Sequence, residues 1–286
     1  MYILCNLALL GAAFISGLSF VAQKLGMAYV GPFTFNALRC FIGALSLLPP
    51  LFFMHGDKNK NFIKGGIISG IILFFAFSTN QIAMIYSDAS KAGFITSLYI
   101  LFVPLISVVF KHPLSNRIKL CVLASIFGLY LLCVQNWTEF SIWDFLLLIS
   151  AFFFAIHIMT VSYYSKRQSA IKLSLVQFLI AGVLSSVLMF AFEEPKMELI
   201  LAGWKPVLFI GVIVTAVAYT LQIFGHKRTR AVLATLILSS EALFAVLGGV
   251  VLLGETLNLK EILGCIIMLF AIIFSRIPSI KKGETK

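Results

Sequence analysis

Residues 230–255 read RAVLATLILSSEALFAVLGGVVLLGE. At about 1.5 Å of rise per residue, a helix of this length crosses the ~30 Å hydrocarbon layer of a bilayer. Near its middle stands Glu241, the acidic residue of the chain that lies deepest inside an apolar run. A charged side chain at the centre of a spanning helix costs about 2.5–3.5 kcal/mol on insertion scales. Function offsets that cost, or packing hides the group. The fold therefore has to supply an interior at the depth of Glu241.

The surroundings of this stretch show what kind of interior is meant. Hydrophobic residues make up 60% of the 286 residues and charged residues 12%, with 28 phenylalanines. Soluble domains run nearer about 45–50% apolar and about 25% charged. The mean hydropathy is +1.04, and the chain reads as an all-α integral membrane protein. In a soluble protein the net charge of +11 would suggest nucleic acid. Here the basic residues line span ends and meet anionic lipid, so membrane lipid is an expected partner and nucleic acid is not.

Apolar windows of about 20 residues give ten candidate spans near 3–23, 32–54, 65–86, 92–110, 117–135, 142–164, 171–192, 205–225, 231–253 and 259–277. The N-terminal run MYILCNLALLGAAF has no Lys or Arg ahead of it and reads as a retained first span. Basic residues concentrate in the loops after spans 2, 4, 6 and 8 (Lys58 to Lys64, Lys111 to Lys119, Lys166 to Lys172, Lys227 to Arg230) and in the C-terminal tail. The opposite loops hold only Lys24, Lys91, Lys196, Lys205 and Lys260, and the tryptophans Trp137, Trp143 and Trp204 fall at that end. By the positive-inside rule both termini are expected to be cytoplasmic, in the cell (inner) membrane.

The chain also repeats itself. GAAFISGLSFVAQK (11–24) falls on ISAFFFAIHIMTVS (149–162) at an offset of 138, which pairs Ser19 with His157; the same offset pairs Arg39 of span 2 with Gln177 of span 7. An offset of 141 puts Gly70 on Gly211 and Gln81 on Gln222, and near 138 again span 4 falls on span 9. Each half, 1–138 and 139–286, then holds five spans. An odd number makes the second half enter the membrane upside down. Inverted repeats of this kind commonly place a site near the midplane and work by alternating access.

At this point the chain resembles the drug/metabolite transporter superfamily, in its ten-helix EamA-type branch. The resemblance is carried by GLSFVAQK (17–24) with Ala37–Arg39, by SKAGFITSLYILFVP ending at Pro104, and by SSEALFAVLGGVVLLGETLNLKEILG (239–264). It implies two inverted five-helix repeats around a central cavity and movement of small polar or amphipathic metabolites, such as amino acids and related compounds, usually outward. Two positions depart from the family pattern. Glu241-Ala242 stands where Glu-Pro is expected, so no proline break is expected in span 9. Lys111-His112-Pro113 stands where a Gly-Glu like Gly254-Glu255 is often found.

The residues that could line such a cavity divide by chemistry. Glu241 has small neighbours at helical spacing, Ala234, Ala245 and Gly248, which let another helix approach or leave a hollow. Desolvation penalises its charged form, so protons are a candidate coupling ion, and a structural hydrogen-bond anchor is the plain alternative. Arg39, about seven residues into span 2, needs a partner. A carboxylate, backbone carbonyls or an anionic substrate would each serve, and structural stabilisation is the simplest role. His157 is more simply a satisfied polar group than a relay. Asn80, Gln81, Thr96, Tyr99, Gln177 and Gln222 are expected to orient a solute in a mostly aromatic cavity, against the rival of interhelical hydrogen bonding worth about 0.6 kcal/mol each. Pro104 is expected to kink span 4.

Several chemistries are absent from the sequence. No GxSxG, HExxH, GxGxxG or Walker-type loop occurs, and the loops are too short for an ATP-hydrolysing domain. The five cysteines (Cys5, Cys40, Cys121, Cys133, Cys265) lie in apolar spans without metal-ligand spacing. Neither enzyme chemistry, cofactor nor metal is expected. A lipid flippase or scramblase, and an intramembrane enzyme built on Glu241 and His157, remain as alternatives; monomer and homodimer are both open.

Overall fold

The computed structural model describes residues 1–52, 61–87, 89–111, 114–133, 141–253 and 258–276. Trp137, His112-Pro113, Gly254-Glu255, Lys58, Lys60 and the basic tail lie outside the described residues. Helices stand at all ten expected positions. Six are long and apolar enough by themselves to cross a membrane: Pro32–Phe52, Phe62–Tyr86, Ala92–Val109, Ile142–Tyr164, Ala170–Phe192 and Trp204–His226. Span 1 is made of Tyr2–Gly17 and Ser19–Met27, span 5 of Asn116–Cys133, span 9 of Ala231–Leu238 and Glu241–Leu253, and span 10 of Leu259–Arg276. Large apolar side chains such as Phe190, Phe192, Phe270 and Ile273 are exposed on the outside, as lipid contact requires.

Sequence chemistry fixes where spans start. Pro32 opens span 2 behind Gly31, a position where its missing N–H costs nothing. Span 6 begins on a capping box: Ser141 N–H donates to Asp144 Oδ2 at 2.8 Å, and Asp144 N–H to Ser141 Oγ at 3.3 Å. Span 10 uses Asn258 and Glu261 in the same reciprocal way, at 2.7 and 3.0 Å.

Helix packing obeys a rule of exchange. Span 3 packs on spans 6 and 7, and span 8 packs on spans 1 and 2; span 4 packs on span 6, and span 9 on span 1; spans 2 and 7, 4 and 9, and 5 and 10 pack on each other. Adding five to each number turns one contact into another. The rule holds to the residue. A Cβ on Gly70 would come within 2.7 Å of Ile180 Cβ and of the Gln177 carbonyl oxygen, while one on Gly211 would come within 2.6 Å of Ile42 Cγ2 and 3.5 Å of the Arg39 carbonyl oxygen. These neighbours match in the sequence offsets found above. Glycine is needed at both because the backbones touch.

Two charged caps tie spans together at the tryptophan end. Glu193, just past span 7, accepts from Phe33 N–H at 2.7 Å and Thr34 N–H at 2.8 Å, and from Thr34 Oγ1 at 2.6 Å, thereby closing the N-terminus of span 2. Lys24, at the end of span 1, donates to the carbonyls of Met84 and Ser87 at 3.0 and 2.8 Å, at the C-terminal end of span 3. At the same end Trp143 stacks on Tyr86 with ring centroids 3.9 Å apart.

Candidate functional site

The site is assembled where helices are interrupted. Span 4 runs as Ala89–Ser97 and Tyr99–Val109, broken at Leu98, and span 9 is broken at Ser239–Ser240, immediately before Glu241. The break in span 9 corrects the expectation drawn from the missing proline. The hydroxyls of Ser239 and Ser240 donate to the carbonyls of Leu236 and Ile237 at 2.9 and 2.6 Å. Side chains that occupy helix carbonyls in this way compete with the backbone ladder, and Ser240 N–H turns to Ile237 at 3.0 Å in the tighter i to i−3 pattern. Pro104 lies buried inside Tyr99–Val109 without ending it, and the interruption falls at Leu98. Span 1 is also interrupted at Leu18, and span 2 at Leu47.

The break at Leu98 has a chemical result. Ser97 Oγ and Tyr99 Oη both donate to Glu241 Oε1, at 3.2 and 3.0 Å. These two residues flank the interruption in span 4. Glu241 thus faces the protein interior, at the crossing of the two broken spans. On its other side, a Cβ at Gly17 of span 1 would lie 2.4 Å from the Glu241 carbonyl oxygen and 2.9 Å from Ala245 N.

From Glu241 a cavity lined by both polar and apolar side chains extends between spans 1, 2, 3, 4, 6, 8 and 9, part of it continuous with solvent. Among the residues singled out from the sequence, Glu241, Arg39, Asn80, Gln81, Thr96, Tyr99 and Gln222 line it. Arg39 Nε donates to Thr215 Oγ1 at 3.1 Å and Nη1 to Gln23 Oε1 at 3.4 Å, and its guanidinium lies over the Phe77 ring, 4.1 Å from the centroid. Gln81 Nε2 donates to the same Gln23 oxygen at 3.2 Å, and Gln23 Nε2 to Ser19 Oγ at 3.0 Å. Asn80 donates to Thr96 at 2.8 Å.

His157 and Gln177 are not brought to this lining. They meet each other, His157 Nε2 and Gln177 Oε1 being 3.1 Å apart, both buried; His157 and Glu241 do not pair. Sequence reasoning passed over Gln23, Ser19 and Tyr219, all of which line the cavity. Gln23 and Ser19 stand in the GLSFVAQK stretch, whose polar residues at i and i+4 were the available signal. Phe154 also lines the cavity. Among the described residues no group of His, Cys, Asp and Glu is placed to hold a metal ion.

Known proteins share both the sequence and the architecture. The model of the EamA-like transporter family matches residues 3–134 and again 141–277. A protein of Archaeoglobus fulgidus, named an uncharacterized transporter, is 32% identical over 94% of this chain and 84% of its own length. The uncharacterized transporter YoaV of Bacillus subtilis is 23% identical over 92% and 93%. A solved structure, described only as the crystal structure of a protein, superposes with a TM-score of 0.80 over 95% of this chain and 96% of its own, at 16% identity, and shares the fold. With its two halves each matched and its length covered, the chain belongs to the EamA-like transporter family, within the drug/metabolite transporter superfamily.

Proposed function

We propose that this chain is a secondary transporter that moves small polar or amphipathic metabolites, such as amino acids and related compounds, by alternating access. Its halves, residues 1–138 and 139–286, act as inverted repeats. The observation that carries the reading is the cavity itself. Two spans at corresponding positions of the halves, 4 and 9, are both interrupted there, the arrangement by which transporters build midplane sites. Amides, hydroxyls and two separately held ionisable side chains, Arg39 and Glu241, line it together with aromatic and aliphatic groups. The double match of the family model and the exchange rule of helix packing support the repeat.

The distribution of basic residues supports cytoplasmic termini by the positive-inside rule, and export from the cell is the direction the family resemblance favours. Coupling is to protons, with Glu241 as carrier, or absent. A cavity lined by seven spans supports a small solute over a lipid headgroup drawn from the side, and the bonding of His157 to Gln177 instead of Glu241 speaks for a transporter over an intramembrane enzyme. Thermal-stability screening with amino acids, nucleosides, sugar phosphates and organic cations identifies the solute. Counterflow and proton movement are then compared in vesicles carrying wild type and Glu241→Gln. The variant is expected to slow counterflow about tenfold, the effect of ~1.4 kcal/mol, and to flatten its pH dependence. Unchanged transport with an unchanged pH profile would remove Glu241 from the mechanism.

A further inference from the structure

We infer that Arg39 anchors an anion-binding subsite in the central cavity, which takes a carboxylate or phosphate group of the transported solute; the inference rests on the transport reading above. Arg39 is 2% exposed and lines the cavity. Every group that touches it is neutral: the Thr215 hydroxyl, the Gln23 amide oxygen and the Phe77 ring. Among the described residues no carboxylate and no backbone carbonyl pairs with its guanidinium. Of the three partners that the sequence leaves open, the anion of a ligand is the one left.

The geometry prepares the group for that partner. Phe77 lies under the guanidinium carbon at 4.1 Å, Thr215 of span 8 and Gln23 of span 1 hold Nε and Nη1, and Nη2 makes no hydrogen bond within the described residues. Nη2 is also not among the buried side-chain atoms left without a partner, so it is not sealed from the cavity. A guanidinium anchored at Nε and Nη1, with donors to spare, suits a planar carboxylate or a phosphate oxygen pair. A buried charge with only dipoles around it lacks the pairing that interior charges ordinarily have. The contrast with its counterpart is direct. Gln177, at the equivalent place in the second half, is neutral and closed by His157 at 3.1 Å, so the cavity carries a cation in one half alone. Glu241 does not neutralise it: Oε1 of that carboxylate is turned to Ser97 and Tyr99 of span 4, whereas Arg39 is tied to spans 1 and 8.

The test uses four probes with one aromatic body: phenylacetate, phenyl phosphate, uncharged phenylacetamide and cationic phenethylammonium. Thermal unfolding of the full chain in lipid nanodiscs is followed at constant ionic strength. At least one anionic probe is expected to raise Tm by several degrees, with the amide and the ammonium without effect, and which anion acts separates the carboxylate from the phosphate. Arg39→Lys, a point charge in place of a fork, is expected to weaken binding about tenfold, and Arg39→Gln to abolish it. Thr215→Val, which keeps the charge and removes the Nε acceptor, is expected to weaken it severalfold and serves where Arg39→Gln does not fold. Equal stabilisation by the amide, undiminished binding to Arg39→Gln, or no response to either anion overturns the subsite. Counterflow separates this inference from the transport reading. Anion binding without counterflow of any solute sinks transport and leaves the subsite, and counterflow of a cationic or neutral solute with no anion binding does the reverse.

Discussion

Gln23 Oε1 accepts from Arg39 and Gln81 at once, and Gln23 Nε2 reaches Ser19. Three spans are thereby joined at one side chain. Gln23→Leu would leave two donors beside an apolar group, at about 1–3 kcal/mol for each one left dry, and Tm is expected to fall by several degrees in a detergent-solubilised thermal melt. An unchanged Tm would mean that cavity water takes over both bonds. Why Gln23 went unread while Glu241 stood out is a matter of contrast. A carboxylate in an apolar run announces its cost, whereas an amide near a span end looks like ordinary interfacial polarity. The inward aspect of Glu241 was legible for the same reason, since lipid offers it nothing. The pairing of His157 with Gln177 was not legible, because the sequence aligned them with Ser19 and Arg39 of the other half and not with each other.

Among elements, the ten spans were readable from hydropathy alone. The interruptions were not. Leu18 and Leu98 are good helix formers, and Pro104, the visible breaker, sits inside a helix that continues through it. What breaks span 9 is a pair of serine hydroxyls on their own helix, a choice that tertiary packing makes and local propensity does not. Glycine positions give a sharper test of the packing at this scale. At Gly17 a Cβ would stand 2.4 Å from the Glu241 carbonyl oxygen, which is backbone and cannot yield cheaply, while at Gly93 the nearest atom is Phe20 Cζ at 3.6 Å. Gly17→Ala is expected to cost at least about 1–3 kcal/mol through overpacking. Gly93→Ala is expected to be neutral or to stabilise by up to about 1 kcal/mol. Monodispersity and Tm of the two variants, side by side, check the contrast; similar losses at both sites would refute it.

Across the whole molecule, the Glu193 cap is the charged tie between the two halves at the tryptophan end, since it joins span 7 to span 2. If the halves rock to admit solute from that side, this tie opens. Glu193→Gln keeps the shape and weakens the charge-assisted bonds, so a cysteine introduced at Thr96 in a background without the native cysteines should be labelled severalfold faster by an impermeant thiol reagent applied to the tryptophan face. Equal labelling rates in the two backgrounds would leave the cap with a purely structural role.

Span 1 is divided at Leu18, whereas its counterpart, span 6, runs unbroken from Ile142 to Tyr164; span 8 loosens into a wider π-helical turn over Ile210–Ala218, whereas its counterpart, span 3, stays regular. Two halves built on one plan have thus taken different shapes. Under the proposed alternating access the two shapes are traded: in the opposite state span 6 bends at Ile156, the position matching Leu18, and span 1 straightens. The bent half is then a template for its partner, and the cycle becomes a barter of conformations between near-twins in which the overall inventory of bent and straight helices never changes.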